Sequence, residues 1–190
     1  NAATSFPKPL CVAREISKCI NNYCGNPGRS GHKMSVLASE KIYECRELLS
    51  AFFGNESPEK VVFTLNTTYA INIAINALYT PESHVLISNM EHNSVLRPIY
   101  ELEKQGKISY EKFNVLQASD EIIRELENKV KDNTKMIIMT HASNIVGEVF
   151  PIEKVGNFCK KHNIVFIVDA AQSAGSVRID MKKFNILMRN

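Results

Sequence analysis

Residues 164–175 read IVFIVDAAQSAG. Five apolar residues, Ile164 to Val168, run straight into Asp169, and Gln172 lies three positions later. A continuous run of this kind, rich in β-branched residues, reads as a strand covered on both faces. A carboxylate at the end of such a strand is costly unless something pairs with it. A metal, an arginine or a cationic ligand would answer it, and the residues beyond the other strands decide between them.

Outward from that stretch, helix and strand patterns alternate. Residues 9–22 and 34–53 have the spacing of amphipathic helices, joined by the glycine-rich GNPGRSGHK, and Gly54 reads as the end of the second helix. KVVFTL (60–65) reads as a strand and 66–78 as a helix. HVLIS (84–88) is a strand, and 93–106 is a helix in which Pro98 belongs in the first turn or makes a kink. Residues 107–115 form a strand. Residues 119–130 form a helix with Ser119 as its cap and Asp120 and Glu121 favouring its positive end. KMIIMTH (135–141) is a strand, 152–162 a helix, and 164–169 the strand quoted above. Near-continuous apolar strands between helices predict an α/β fold with a mostly parallel sheet sandwiched by helices.

Bulk properties exclude several classes. Of 190 residues, 44% are hydrophobic and 23% charged, and the net charge is only +3. That composition is globular, and so mild an excess, with no basic arm or acidic tail, argues against nucleic-acid or membrane partners. No apolar run approaches the ~20 residues of a membrane span. The N-terminus lacks the apolar core of a signal peptide. The five cysteines are odd in number and irregularly spaced, with no CxxC pair, which reads as reduced thiols in a cytoplasmic protein and gives no metal site.

In open α/β sheets ligands bind beyond the carboxyl ends of the strands. There the sequence places Asn66, Thr67 and Thr68; then Asn89, Met90, Glu91, His92 and Asn93; then Ala142, Ser143 and Asn144; then Asp169 and Gln172. Each has a plainer reading. The threonines could cap a helix, His92 and Asn144 could be turn residues, and Asp169 could cap a helix or join a structural ion pair. Taken jointly they suit one ligand. Threonine hydroxyls and free amides at a helix start suit a phosphate. An imidazole can stack on a ring. A buried aspartate can hold a protonated pyridine nitrogen, and Asn144 and Gln172 can donate to a phenolate oxygen. Phosphate, ring, ring nitrogen and ring oxygen are the handles of pyridoxal 5'-phosphate (PLP).

The run of NAATSFPKP, GNPGRSGH, FTLNTTYAIN, MEHNSVLRP, THASNIVG and VDAAQSAG resembles, in order and across the chain, the class V aminotransferase group of fold-type I PLP enzymes. The likeness is nearest to NifS-like cysteine desulfurases and selenocysteine lyases. It implies the large domain of a PLP-dependent transferase, with residues 1–15 as an N-terminal segment, 16–190 as a partial PLP-binding domain, and the small C-terminal domain absent. It implies that Thr67 and Thr68 hold the phosphate, and that His92 stacks on the pyridine and moves protons. Asn144 and Gln172 would meet the phenolate oxygen, and Asn144 the substrate carboxylate as well. Asp169 would pair with the ring nitrogen, and Ala171 would pack on the ring's other face. The loop Gly25–His32 would line the mouth of the site, close to a dimer partner.

The activity so implied takes sulfur from L-cysteine, leaves L-alanine and an enzyme persulfide, and passes sulfur to an acceptor protein, as in iron–sulfur cluster assembly. A homodimer is the implied assembly. The family's cofactor-anchoring lysine and sulfur-accepting cysteine have no counterpart here: only 21 residues come after Asp169, and Lys33, Lys182 and Lys183 stand in the wrong places. The chain by itself is therefore expected to turn over little or no cysteine. Other readings remain: a selenocysteine lyase, another class V aminotransferase, a non-catalytic binding remnant, or a nucleotide-binding enzyme. The last is disfavoured because GNPGRSGHK is not a Walker loop and comes after a helix.

Overall fold

The computed structural model describes residues 6–28, 31–55 and 57–186. They fall into two units, Asn1–Val62 and Phe63–Asn190.

The first unit is helical. Helix α1 spans Leu10–Asn22 and α2 spans Lys33–Phe52. His32 caps α2 through its ring, since the Ser35 amide donates to Nδ1 at 3.2 Å. Gly54 stands just past the helix end with φ 66°, a left-handed conformation that glycine adopts without strain. Arg29 and Ser30, inside the loop expected to line a site, lie outside the described residues.

The predicted strand 60–65 does not form. Pro58–Lys60 is a single 3-10 turn, and the residues after it join no ladder. The run is β-branched enough for a strand, but a strand exists only where a neighbour takes its amides and carbonyls. Val62 and Leu65 are instead 72% and 86% exposed.

The second unit is an α/β layer structure. It comprises α3 (Thr67–Leu78), β1 (Ser83–Ser88), α4 (Asn93–Lys104), β2 (Ile108–Phe113), α5 (Ser119–Lys129), β3 (Thr134–Thr140), α6 (Ile152–Lys161) and β4 (Val165–Asp169). The four strands are all parallel, in the order β2-β1-β3-β4. Alternation along the strands splits the core. Val85, Ile87, Met136, Ile138 and Ile167 pack with Ile71 and Ile75 of α3 and Val95 and Ile99 of α4. Leu86, Ile137, Met139 and Phe166 point the opposite way, toward the face of α5 and α6, where Ile122, Leu126 and Val155 are buried. Burial of each such aliphatic side chain is worth roughly 1.5–3 kcal/mol. Gly156 lets α6 approach closely, because a Cβ there would come within 1.8 Å of the Phe184 carbonyl oxygen.

Two local expectations shift. Pro98 stands in the second turn of α4, and the helix runs past it to Lys104. Proline has no N–H for the carbonyl four residues back. That carbonyl, Ser94 O, instead accepts from Asn72 Nδ2 of α3 at 3.3 Å. At α5 the cap is Ala118 rather than Ser119, and the Glu121 carboxylate accepts from the Ala118 amide at 3.2 Å. A carboxylate reaching back to the free amide serves the helix start as a serine would.

The strand order sets the position of a crevice. From β1 the chain moves to one side for β2 and to the other for β3 and β4, so β1 and β3 flank a topological switch point. The carboxyl ends of all four strands open on the same rim.

Candidate functional site

Each residue singled out on the rim comes from a segment that leaves a strand or opens a helix. Thr67 and Thr68 are the first two residues of α3 and are exposed. The cap is Asn66, whose Oδ1 accepts from the Tyr69 amide at 2.9 Å. That leaves both hydroxyls, and the amides of the first turn, available at the positive end of the helix.

His92 is the N-cap of α4. Its Nδ1 accepts from the Ser94 amide at 3.1 Å and lies 3.0 Å from Ser94 Oγ. With Nδ1 acting as acceptor, the proton of the neutral imidazole sits on Nε2. Thr68 and His92 both line a cleft of about 780 Å³ between α3 and α4, with Asn72, Arg97 and Pro98. Asn144, Asp169, Ala171 and Gln172 do not line it.

Asp169 ends β4 opposite Thr140 and is 6% exposed. Its Oδ1 accepts from the Ala171 amide at 3.0 Å. Among the described residues no lysine, arginine or histidine forms an ion pair with it. Ala171 is exposed and Gln172 half-buried on the next turn. That turn is anchored from β3's end: His141 donates its amide to Asp169 O at 2.9 Å, and its Nδ1 lies 2.8 Å from Ser173 Oγ. Burial pushes the His141 imidazole below its ordinary pKa, so it stands there as a neutral ring. Asn144 is exposed in the tight turn closed by the Gly147 amide on Ser143 O at 3.0 Å, with Gly147 at φ 70°.

The structure gives a role to a residue whose place alone was legible in the sequence. Glu91 lies just beyond β1 and is 8% exposed. Its Oε1 accepts from Ser88 Oγ at 2.5 Å and from the Thr140 amide at 2.6 Å, joining the ends of β1 and β3 at the switch point. Its Oε2 is buried with no partner. Burial raises its pKa to about 7, and the negative charge of Asp169 adds to the rise. The available signal was an acid set between a strand with an apolar centre, Val85–Ile87, and a helix cap.

The described residues hold no group of three or more histidine, cysteine or acidic side chains that could bind a metal. None of their helices is long and apolar enough to cross a membrane.

Two buried carboxyls at the carboxyl ends of a parallel sheet, in the same unit as a helix start carrying threonines, belong to a layered α/β protein. The profile described as Aminotransferase class-V matches residues 1–188, and the chain belongs to that family. A probable cysteine desulfurase of Borreliella burgdorferi is 36% identical over 190 residues, covering 96% of this chain and 44% of the relative. A cysteine desulfurase IscS of Vibrio vulnificus is 33% identical over 170 residues, covering 85% and 41%. Among solved structures, an apo cysteine desulfurase of Thermococcus onnurineus superposes with a TM-score of 0.86 at 28% identity, covering 98% of this chain and 46% of that one. The structure described as SspA in complex with cysteine superposes with a TM-score of 0.85 at 28% identity, covering 97% and 53%. The chain thus spans about half the length of the relatives it matches.

Proposed function

We propose that this chain forms the PLP-binding part of a cysteine desulfurase, an enzyme that converts L-cysteine to L-alanine and passes the sulfur through an enzyme persulfide to an acceptor protein. A cytoplasmic setting and a homodimeric assembly belong to the same proposal. The observation that carries it is Asp169: a buried carboxylate at the switch-point rim, with no cation of the described chain to answer it. A pyridinium nitrogen is such a cation. The relatives' names and the cysteine-bound neighbour support the choice of substrate.

The residues fit the cofactor's groups. Thr67, Thr68 and the first amides of α3 would hold the phosphate, where helix dipole and free donors favour an anion. Asp169 would hold the proton on the ring nitrogen, its own carboxylate fixed by the Ala171 amide. Gln172 and Asn144 would donate to the phenolate oxygen, and Ala171 would cover one ring face. His92 would cover the other, with Nδ1 committed to Ser94 and Nε2 left to exchange protons. When bound, PLP supplies an electron sink for chemistry at the amino acid's Cα.

The test is a titration of the full chain with PLP at neutral pH, read by near-visible absorbance. Wild type should bind saturably. Asp169→Asn should bind on the order of 10–100-fold more weakly, the worth of one charged hydrogen bond. Equal binding by the two proteins, or none by either, would overturn the reading.

A further inference from the structure

Resting on the PLP reading above, we propose that Glu91 is the second carboxyl of the site: a positioning residue that clamps the ends of β1 and β3 and carries the proton that leaves the rim's negative charge on Asp169. The two oxygens of Glu91 are not equivalent. Oε1 is fully engaged, accepting from Ser88 Oγ and the Thr140 amide. Oε2 is buried and unpartnered, so it is the atom that can take up the proton.

The charges around Glu91 favour that state. Thr140, which donates to Glu91, is the register partner of Asp169, so the second carboxyl stands on the adjacent strand end. Two buried acids this near cannot both ionise cheaply. Asp169 has a donor in the Ala171 amide, while no lysine or arginine pairs with Glu91 among the described residues. The neighbouring imidazoles do not compensate. His141 is buried and neutral on Ser173, and His92 is turned onto Ser94. The proton therefore settles on Glu91, and the charge stays where a ring nitrogen would meet it. Ionisation of Glu91 would put a second negative charge at the switch point and alter the field on the bound ring.

Carboxyl ¹³C NMR titration of the full chain, without cofactor, tests the pair directly. The Glu91 resonance, assigned by its disappearance in Glu91→Gln, should titrate near neutrality. In Asp169→Asn its midpoint should fall by about half a pH unit or more. A midpoint in the ordinary carboxylate range, or one that Asp169→Asn leaves in place, would sink the proposal. A second readout uses bound PLP. Its absorbance should change over about pH 6 to 8 in wild type, either side of the midpoint, and the change should shrink in Glu91→Gln to what His92 and the ring contribute. A pH response of undiminished size in Glu91→Gln counts against Glu91. Thermal melting guards against misfolding, since glutamine keeps an acceptor oxygen for Ser88 and Thr140. Coupled carboxyls in a chain that never binds PLP would defeat the proposed function and leave the Glu91–Asp169 pair intact.

Discussion

The two ends of the parallel sheet bury the same kind of problem and solve it differently. At the amino end, His84 of β1 is fully buried. Its Nδ1 lies 2.9 Å from Thr134 Oγ1, which also accepts from the Lys131 amide at 2.8 Å. Nε2 lies 3.5 Å from Glu111, which is itself paired with Lys131. Burial, and then the Lys131 charge, lower the His84 pKa despite Glu111, and the ring is neutral. Its contact with Glu111 is therefore that of a neutral ring with a carboxylate whose charge Lys131 already answers. At the carboxyl end, Glu91 and Asp169 are both acids, and no cation of the described chain answers either. At the amino end the charges are matched, Lys131 on Glu111, although His84 Nε2 is itself buried without a hydrogen-bond partner. At the carboxyl end the acids have no cation, and a cluster left with an unmatched charge is a candidate place for a ligand.

That contrast can be broken from either side, and the largest expected effect is a pH dependence at the carboxyl end. Glu91 has a folded pKa raised to about 7 from an unfolded value near 4.5. Its contribution to stability is thus fully present below pH ~4.5 and is lost as pH rises through ~7, a change of roughly 3 kcal/mol. Denaturant unfolding at about pH 4.5 and pH 8 should show this difference between wild type and Glu91→Gln, the other titrating groups cancelling in the comparison. Identical slopes for the two proteins would mean that Glu91 is not a buried acid.

Next comes Thr134→Val at the amino end. It strips a partner from both the Lys131 amide and His84, and should cost about 2 kcal/mol in denaturant unfolding. PLP affinity should not change, because the hydroxyl lies at the far end of the sheet. Asp169→Asn should do the reverse, weakening PLP binding while moving stability by less than about 1 kcal/mol. If Thr134→Val damaged binding as much as Asp169→Asn, the division between the two ends would fail. The smallest effect belongs to Asn66→Ala. Loss of its bond to the Tyr69 amide should cost ~1 kcal/mol. It should also weaken PLP binding modestly by loosening the helix start that carries Thr67 and Thr68.

Much of this was legible in the residues. The runs around Val85–Ile87, Met136–Met139 and Phe166–Val168 are apolar without a break because both faces of the sheet are covered, and that property needs no coordinates to read. The same reasoning put Asp169 at the end of a buried strand. KVVFTL shows the limit. Its composition is that of a strand, but composition cannot supply the neighbour that a ladder requires, and among the described residues it has none. The cap of α3 stays open in the sequence for a related reason: Asn66, Thr67 and Thr68 are all capping types, and only backbone geometry selects Asn66.

The sequence by itself determined the α/β alternation, the parallel strands, the family, and which polar side chains come after each strand, because these depend on local periodicity and on chain order. The tertiary structure alone decided that β1 lies beside β3. That adjacency brings the Thr140 amide to Glu91, 49 residues away along the chain, and sets the acid one strand from Asp169. The energy of a buried charge depends on what surrounds it in space. Neither the protonation of Glu91 nor the unanswered charge of Asp169 could be read until the strands were in order.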